Sequence, residues 1–467
     1  MAAPVAELAP TAERCADRLR SAAEVLIASH IDADGLTSAA IATTALTRAG
    51  IEIETTFHKQ LDDDGIAAIA AADYDTVLFT DFGSGQLETI AAHEAAGDFT
   101  AIIADHHRPA DVETDYHLNP LLEGIDGASE LSGAGAAYLL ARELGDNRDL
   151  AGLAVVGAVG DMQASDGELR GANEAIVREG VEAGVLDTGT DLSLYGKQTR
   201  PLPKLLEYAT ELAIPGISND ESGSIRFLDG LELDLKDDDG DWRTWVDLTA
   251  DERQAVVSGL VKRGVDRGVP PRKINAIVGT TYELTVEAEG TELRDASEFS
   301  TLLNATARYE RPDVGLAVCL GNREAAYMRA RKLLQNHRRN LSQGLDLVKE
   351  EGVTKTEHLQ WFDAEERIRE TIVGIVAGMA LGTNDVSADR PIIAFATKDE
   401  ETTKVSARGT PALVHRGLDL SNVMTEASTA VDGEGGGHDI AAGASIPDGR
   451  EADFIDHADR VIAGQLG

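Results

Sequence analysis

The sequence predicts an α/β protein in three parts: a parallel sheet over residues 1–185, an inserted region over 186–360, and a smaller α/β unit over 361–467. Three observations predict it. From residue 20 to 185, short β-type runs alternate with Ala-rich helical stretches, the pattern of a parallel α/β sheet. Between 186 and 275 the alternation fades and Pro201, Pro203 and Pro215 punctuate the chain. From 361 onward a separate set of helices and strands resumes.

The elements follow in order. The N-terminal stretch reads as an amphipathic helix. Residues 25–28, 51–57, 76–80 and 101–104 are β-type runs, with a helix over 37–49 between the first two. Ser132-Gly133-Ala134-Gly135 opens a helix over 136–144, and residues 151–159 form an apolar, buried helix leading to Gly160-Asp161. In the middle, Asp237-Asp238-Asp239-Gly240-Asp241 lacks the order of an EF-hand loop and reads as a solvated turn. A β-type run over 275–284 and a helix over 297–308 precede a long helix over 323–351, which carries Arg329, Arg331, Lys332, Arg338 and Arg339. The C-terminal unit reads as a helix over 364–381, strands over 391–397 and 404–408, a helix, a glycine-rich turn ending in His438, and a strand over 442–446.

Composition narrows the class. A chain of 467 residues can build two or three cores, and 43% apolar content with 13 Pro argues for a folded protein. Aromatics are only 4%, so the core leans on Ala, Val, Leu and Ile. The best candidate for a span, 372–381, contains two glycines and falls short of the roughly 20 residues a membrane span needs. With no basic n-region before an apolar stretch, the expected location is the cytoplasm, with no membrane partner. Cys15 and Cys319 form no C-x-x-C pair, which excludes a cysteine zinc module and a disulfide framework. The net charge of −40 is spread over the whole length rather than gathered in a tail. Such a surface suits molar salt, where charge repulsion is screened within about 3 Å at 1 M, and points to a halophilic source. It therefore does not exclude a polyanionic substrate.

Three motifs carry chemistry: His30-Ile-Asp32-Ala-Asp34-Gly35, Asp105-His106-His107, and Gly435-Gly436-Gly437-His438. The first two follow β-type runs, and a third run delivers Asp81 in the same way. Ligands of open α/β sheets bind beyond the carboxyl ends of the strands, and carboxylate and imidazole suit hard or borderline divalent metals. His30, Asp32 and Asp34, at alternate positions of an extended segment, are expected on one face. With His106 and Asp161, and with Asp34 or Asp81 bridging, the set can hold two ions. Two ions about 3.5–4 Å apart clamp the attacking and leaving oxygens of an in-line phosphoryl displacement. His107 is then free for a substrate oxyanion. In the last motif, Gly435, Gly436 and Gly437 would offer consecutive N–H groups to an anion, with His438 as a further donor.

The stretches SHIDADGLTSAAI, LFTDFGSG, IIADHHRP, HLNP with LSGAGAAYLL, VGAVGDMQ and GGGHDIAAGASIP, in that order, resemble the DHH phosphoesterase superfamily. The subfamily resembled is the one with a C-terminal DHHA1 domain, within it the archaeal RecJ-like branch of the GINS-associated nuclease type, here of haloarchaeal character. The resemblance implies His30, Asp32, Asp34, Asp81, His106 and Asp161 as ligands of a pair of divalent ions, Mn2+ first and Mg2+ as the alternative. It implies His107 beside the scissile phosphate, Asp34 and Asp81 as catalytic ligands, and Ser406, Arg408, Gly435, Gly436, Gly437 and His438 as substrate contacts. The active site is expected in the cleft between the DHH and DHHA1 domains.

The function implied is a 5′→3′ exonuclease on single-stranded DNA or RNA in replication or repair, with GINS and the replisome as partner. Two alternatives stand beside it. One is a small-substrate phosphoesterase acting on short oligonucleotides, cyclic dinucleotides or pAp, against which the long inserted region argues. The other is a replisome scaffold binding GINS with little catalysis, against which the complete ligand set argues.

Overall fold

The computed structural model describes residues 3–466 apart from 165–166, 210–211, 213, 384–385 and 400. The chain divides into two compact units, residues 1–331 and 332–467.

The first unit opens with α1 (Ala9–Arg20), which buries Ala12, Cys15, Ala16 and Leu19 at helical spacing. There follow β1 (Glu24–His30), α2 (Ala33–Arg48), β2 (Glu52–His58), α3 (Asp63–Ala70), β3 (Thr76–Thr80), α4 (Leu87–Ala96), β4 (Thr100–Ala104) and the short β5 (His117–Leu118). All pairings in this sheet are parallel, in the order β2-β1-β3-β4-β5. Every residue of β3 is buried, which explains why it reads as one apolar run rather than an alternation. Truncating its fully buried Phe79 to Ala would cost about 3–5 kcal/mol in lost burial and cavity. Helices α5 (Gly133–Leu144), α6 (Ala151–Gly160) and α7 (Gly171–Glu182) complete this layer. α2, α5 and α6 pack on one another through small residues such as Ala39, Ala137 and Ala154, so few aromatics are needed.

The fading pattern of the middle region has a simple cause. β6 (Leu186–Leu192) and β7 (Val278–Leu284) form an antiparallel ribbon, and the chain between them carries helices separated by long turns. The inserted helices are α8 (Leu202–Glu207), α9 (Glu221–Asp229), α10 (Ala250–Asp266) and α11 (Pro271–Asn275). They close over a core of their own that includes Leu205, Leu228, Trp245, Val256 and Leu260. The acidic segment is a turn whose Asp237 carboxylate accepts the backbone N–H groups of Asp239 and Asp241. α12 (Ala296–Arg308) and α13 (Pro312–Cys319) then return to pack on α2. Both cysteines are buried free thiols, and burial pushes each up to about 12.

The division between units falls within α14 (Ala325–Glu351). The second unit then runs β8 (Thr354–Lys355), β9 (Gln360–Asp363), α15 (Val373–Ala380), β10 (Ile392–Thr397), β11 (Thr402–Arg408), α16 (Pro411–His415), α17 (Leu420–Thr429), β12 (Glu434–Gly437), β13 (Ala441–Pro447) and α18 (Glu451–Leu466). Its sheet has the order β12-β13-β11-β10-β9-β8. Alternate β10 residues serve opposite faces: Ile393 and Phe395 join one apolar cluster, Ile392, Ala394 and Ala396 the other.

Two expectations for this unit are corrected. The helix expected over 364–381 is confined to Val373–Ala380. The Ala364 N–H is taken by the Phe395 carbonyl, and Glu365 adopts φ 48°, so no helix can run through them. The glycine-rich turn is instead the edge strand β12, paired antiparallel with β13. In such a pair only alternate N–H groups face outward, so the run does not present consecutive donors.

Candidate metal centre

The three strand ends converge. His30 is the last residue of β1, and the chain then turns at once into α2. His30, Asp32 and Asp34 therefore do not share an extended segment, contrary to expectation. Asp32 is the N-cap of α2, its Oδ1 accepting the Gly35 N–H at 3.0 Å, and Asp34 lies in the first helical turn. Three glycines allow so tight an entry. A Cβ on Gly35 would collide with the His30 carbonyl, one on Gly157 with Asp34 Oδ1, and one on Gly133 would lie 2.6 Å from Asp81 Oδ1.

Asp34 is 2% exposed. Its two oxygens accept the N–H groups of Gly133 and Ala134, at 2.7 and 2.9 Å, so the positive end of α5 points at it. Burial raises the Asp34 carboxyl well above the usual range, and the charges of Asp81 and Asp161 add to that. Asp81, just beyond β3, adopts φ 60°, a left-handed conformation that turns its carboxylate inward. Its Oδ2 lies 3.5 Å from His30 Nδ1 and its Oδ1 3.3 Å from His106 Nε2. Burial opposes ionisation of Asp81, but His106 and His30 outweigh it and hold the carboxyl well below its ordinary value. His30 is opposed by burial and raised to about 11 by hydrogen bonding to Asp32 and Asp81.

His106 is the centre of the arrangement. Its Nδ1 lies 2.7 Å from the Gly127 carbonyl, which can only accept, so Nδ1 carries the hydrogen. That leaves Nε2, a buried atom with no hydrogen bond of good geometry among the described residues, facing Asp81 and Asp34, where a proton and a metal ion would compete for it. An imidazole locked by a carbonyl on one nitrogen, with the other free among carboxylates, is the usual setting of a metal-bound histidine. Potential ligand atoms of His30, Asp32 and Asp81 lie within 4.8 Å of one another, as do those of Asp34, His106 and Asp161. Asp81 presents one oxygen to each triad. The donor set thus fits two hard or borderline divalent ions with a bridging carboxylate.

Support residues surround the triads, and several lie inside motifs whose chemistry was read elsewhere. Asp105 is fully buried and accepts the N–H groups of Ser84, His106 and His107 and the His107 Nδ1–H at 2.8 Å. Although burial opposes it, the contact with His107 holds the Asp105 carboxyl near 2. The same bond raises the pKa of His107, whose side chain is 56% exposed. Asn119 donates to the His107 carbonyl and to Ser84 Oγ. Gln163 donates to Asp161 Oδ2 and to the Gly127 carbonyl that also holds His106. From far along the chain, Asn304 of α12 accepts the N–H of Ala33, between two ligand positions. α12 also brings Arg308 within electrostatic reach of Asp32. No short motif marks Asn304 or Arg308, and only the fold reveals their place.

The expected substrate contacts lie in the second unit. Ser406 and Arg408 are one face of β11, and Ser406 pairs in register with Gly443, which pairs with Gly436. Arg408 lies over α15, where a Cβ on Gly374 would come 2.5 Å from its Nη2. Ser406 is 6% exposed beneath the same helix. Gly437 has φ 141°, and a Cβ there would meet Ala442. Gly435 is pressed against Met424, and its carbonyl accepts from Thr425 Oγ1. His438 is exposed, its backbone N–H bound to the Ala441 carbonyl. On α14, Arg331 is claimed by Glu292 at 3.2 Å, whereas Arg329, Lys332 and Arg339 are not fully buried.

Carboxylates and imidazoles gathered beyond the strand ends of a parallel sheet and at the end of α6 define a candidate metal site in an α/β protein. The chain belongs to the DHH family with a C-terminal DHHA1 domain. Residues 24–158 match the DHH family N-terminal domain, 194–278 the DHH-CID domain and 358–464 the DHHA1 domain. A protein of Methanocaldococcus jannaschii described as uncharacterised is 30% identical over 450 residues, covering 95% of this chain and 94% of that one. Among solved structures, RecJ of Thermus thermophilus in complex with Mn2+ has a TM-score of 0.61 at 17% identity. The match covers 99% of this chain but only 55% of the Thermus protein, which has also been solved with Mg2+. CDC45 of Entamoeba histolytica has a TM-score of 0.69 at 11% identity, covering 97% of this chain and 99% of that one. At these identities the likeness is one of fold.

Proposed function

We propose that the chain is a two-metal phosphodiesterase of single-stranded nucleic acid, a RecJ-like 5′→3′ exonuclease serving DNA replication or repair in the cytoplasm. The observation that carries this reading is Asp81, with one oxygen toward each of two ligand triads. His30, Asp32 and Asp81 would hold one ion, and Asp34, His106 and Asp161 the other. Mn2+ is favoured over Mg2+ because imidazole nitrogen is a poor match for Mg2+. When bound, the pair supplies Lewis-acid stabilisation of the charge that develops on the phosphate oxygens.

The protein's own groups do the rest. Asp105 fixes the His107 ring through Nδ1, leaving Nε2 for a substrate, and its charge helps keep the ring protonated. A protonated His107 can donate to a non-bridging phosphate oxygen. Asp105→Asn removes the contact that raises the His107 pKa, so the ring should lose its proton at lower pH. The alkaline limb of the kcat/KM profile is therefore expected to move to lower pH. An unmoved limb would separate His107 from the chemistry.

Ser406, Arg408, Gly435, Gly436, Gly437 and His438 would hold the phosphates of the strand, Arg408 through its planar fork. Gly374→Ala tests this from α15, its methyl pressing on Arg408 Nη2 at 2.5 Å and on Ser406 Cβ at 3.1 Å. The added methyl meets the far end of Arg408, a side chain that can yield, so displacement rather than unfolding should follow. Oligonucleotide affinity is expected to fall about tenfold, the scale of one charged hydrogen bond, with single-turnover rates at saturation unchanged.

The direct test is hydrolysis of 5′- and 3′-labelled single strands of DNA and RNA with Mn2+ or Mg2+ in KCl from about 0.1 to 3 M. Release of the 5′ label first, with activity sustained above about 0.5 M as the distributed acidic charge requires, is the expected result. Ordinary phosphate contacts weaken steeply with salt. Full activity at low salt with steady loss above it would contradict the halophilic reading. A replisome scaffold binding GINS is the second reading, favoured by the likeness in fold to CDC45. The complete ligand set favours catalysis, and the two roles can coexist. Among the described residues no helix is long and apolar enough to cross a membrane.

A further inference from the structure

The two triads are supported differently. Among the described residues the His30 ring meets only acids, Asp32 at 3.1 Å and Asp81 at 3.5 Å. The side chains of His30 and Asp32 are 30% and 42% exposed, so this triad opens to solvent. In the other triad each ligand has an amide or a carbonyl as its partner. Asp34 has the first N–H groups of α5, His106 the Gly127 carbonyl, and Asp161 the side-chain amide of Gln163.

Gln163 ties two of these supports together. α6 ends at Asp161, and the next residue, Met162, adopts the left-handed φ of 61°. The Met162 N–H bonds the Val159 carbonyl and the Gln163 N–H the Ala158 carbonyl, the paired bonds of a Schellman turn. The chain reverses there, and Gln163 is buried. Its Nε2 donates one hydrogen to Asp161 Oδ2 and the other to the Gly127 carbonyl, both at 2.9 Å. Among the described residues this is the only side-chain hydrogen bond that Asp161 has. The Gly127 carbonyl spends its second lone pair on His106 Nδ1. Residue 127 has to be glycine for this approach, since a Cβ there would lie 2.1 Å from the His106 carbonyl oxygen. Gln163 Oε1 accepts from Nδ2 of Asn173, a buried residue of α7 whose own N–H is bound to the Glu130 carbonyl. Both neighbours of Nε2 can only accept, so the amide has one orientation.

We propose that Gln163, anchored by Asn173, is a positioning residue that sets the metal affinity of the Asp34, His106 and Asp161 triad and leaves that of the His30, Asp32 and Asp81 triad unchanged. Gln163 offers an ion no ligand atom, because its oxygen is taken by Asn173 and both amide hydrogens by Asp161 and Gly127. It acts through two ligands at once. Without its donors the Asp161 carboxylate is free to swing, and the Gly127 carbonyl keeps only His106. Ligands fixed in advance lose less freedom when an ion binds, and removing such outer partners typically costs about 10- to 100-fold in metal affinity. The proposal rests on the two-metal reading above.

The test is Mn2+ titration calorimetry on the full-length protein, with circular dichroism and Tm in chelator as the measure of fold. Wild type is expected to bind two ions per chain. Gln163→Met keeps the side-chain length and removes both donors. It is expected to bind one ion as wild type does and the other about 10- to 100-fold more weakly. His30→Ala should weaken the ion that Gln163→Met spares, so the double variant weakens both, a pattern that general loosening of the fold does not give. Should Gln163→Met fail to fold in chelator, Asn173→Ala decides. It leaves both donors in place without their anchor, and one ion is expected to weaken about threefold, the scale of one neutral hydrogen bond. Two ions weakened equally in a folded variant, or neither weakened, overturns the positioning role and leaves the two-metal reading standing. A wild type that binds fewer than two ions overturns both.

Discussion

Asp81→Asn is expected to lower hydrolysis by at least about 10³-fold, the scale seen when one preorganised electrostatic group is removed, with the fold intact. The amide has nearly the shape of the carboxylate, and Asn tolerates the φ of 60° found there. What it lacks is the charge that faces both triads. The backbone bond from Asp81 N–H to the Ala104 carbonyl is untouched, so circular dichroism and Tm in chelator should stay close to wild type. Activity within tenfold of wild type would argue against a bridging role. Asp34 calls for a different variant. Its carboxylate satisfies two buried N–H groups of α5, so Asp34→Ala should cost about 1–3 kcal/mol for each donor left unpaired, as well as activity. Asp34→Asn keeps an acceptor and isolates the loss of charge.

The second large effect is on metal affinity and pH. In the metal-free protein, burial and the charges of Asp81 and Asp161 raise Asp34. His30 is raised to about 11 and His106 is raised well above its ordinary value, in both cases because neighbouring carboxylates outweigh burial. Raised affinity for protons at these atoms sets protons in competition with a divalent ion for the same lone pairs. Lowering the pH adds protons and so weakens binding. Asp81, held low, stays ionised and contributes none. Mn2+ affinity should therefore climb at least about tenfold per pH unit between about pH 6 and 8, one factor of ten for each proton released. Titration calorimetry in buffers of different ionisation enthalpy counts those protons. A pH-independent affinity would mean that the ion binds elsewhere.

Much of the centre was legible because its ligands sit at strand ends, where short apolar runs announce them. β3 matches its expected run residue for residue, and β1, β2 and β4 differ from theirs by a residue or two at the ends. The error at His30–Asp34 has a local cause: Asp32 is a good N-cap, so the extended segment ends sooner than alternation alone suggests. Asp105 was visible as a letter of its motif but not as a support, since its partners Ser84 and His107 meet it only in three dimensions. Asn304 reaches Ala33 across 271 positions, and periodicity carries no trace of that. The glycine run misled for the opposite reason. Gly435 and Gly437 are needed for close packing against Met424 and Ala442, and close packing leaves the same signature as a flexible turn.

Six side chains from the first unit would hold two ions, with Asp81 shared between them. Anomalous diffraction at the manganese edge, from crystals grown with Mn2+ at mildly alkaline pH, tests it most directly. Two peaks about 3.5–4 Å apart are expected, one against His30, Asp32 and Asp81 and the other against Asp34, His106 and Asp161. A single peak, or peaks that leave Asp81 without a bond to both ions, would contradict it.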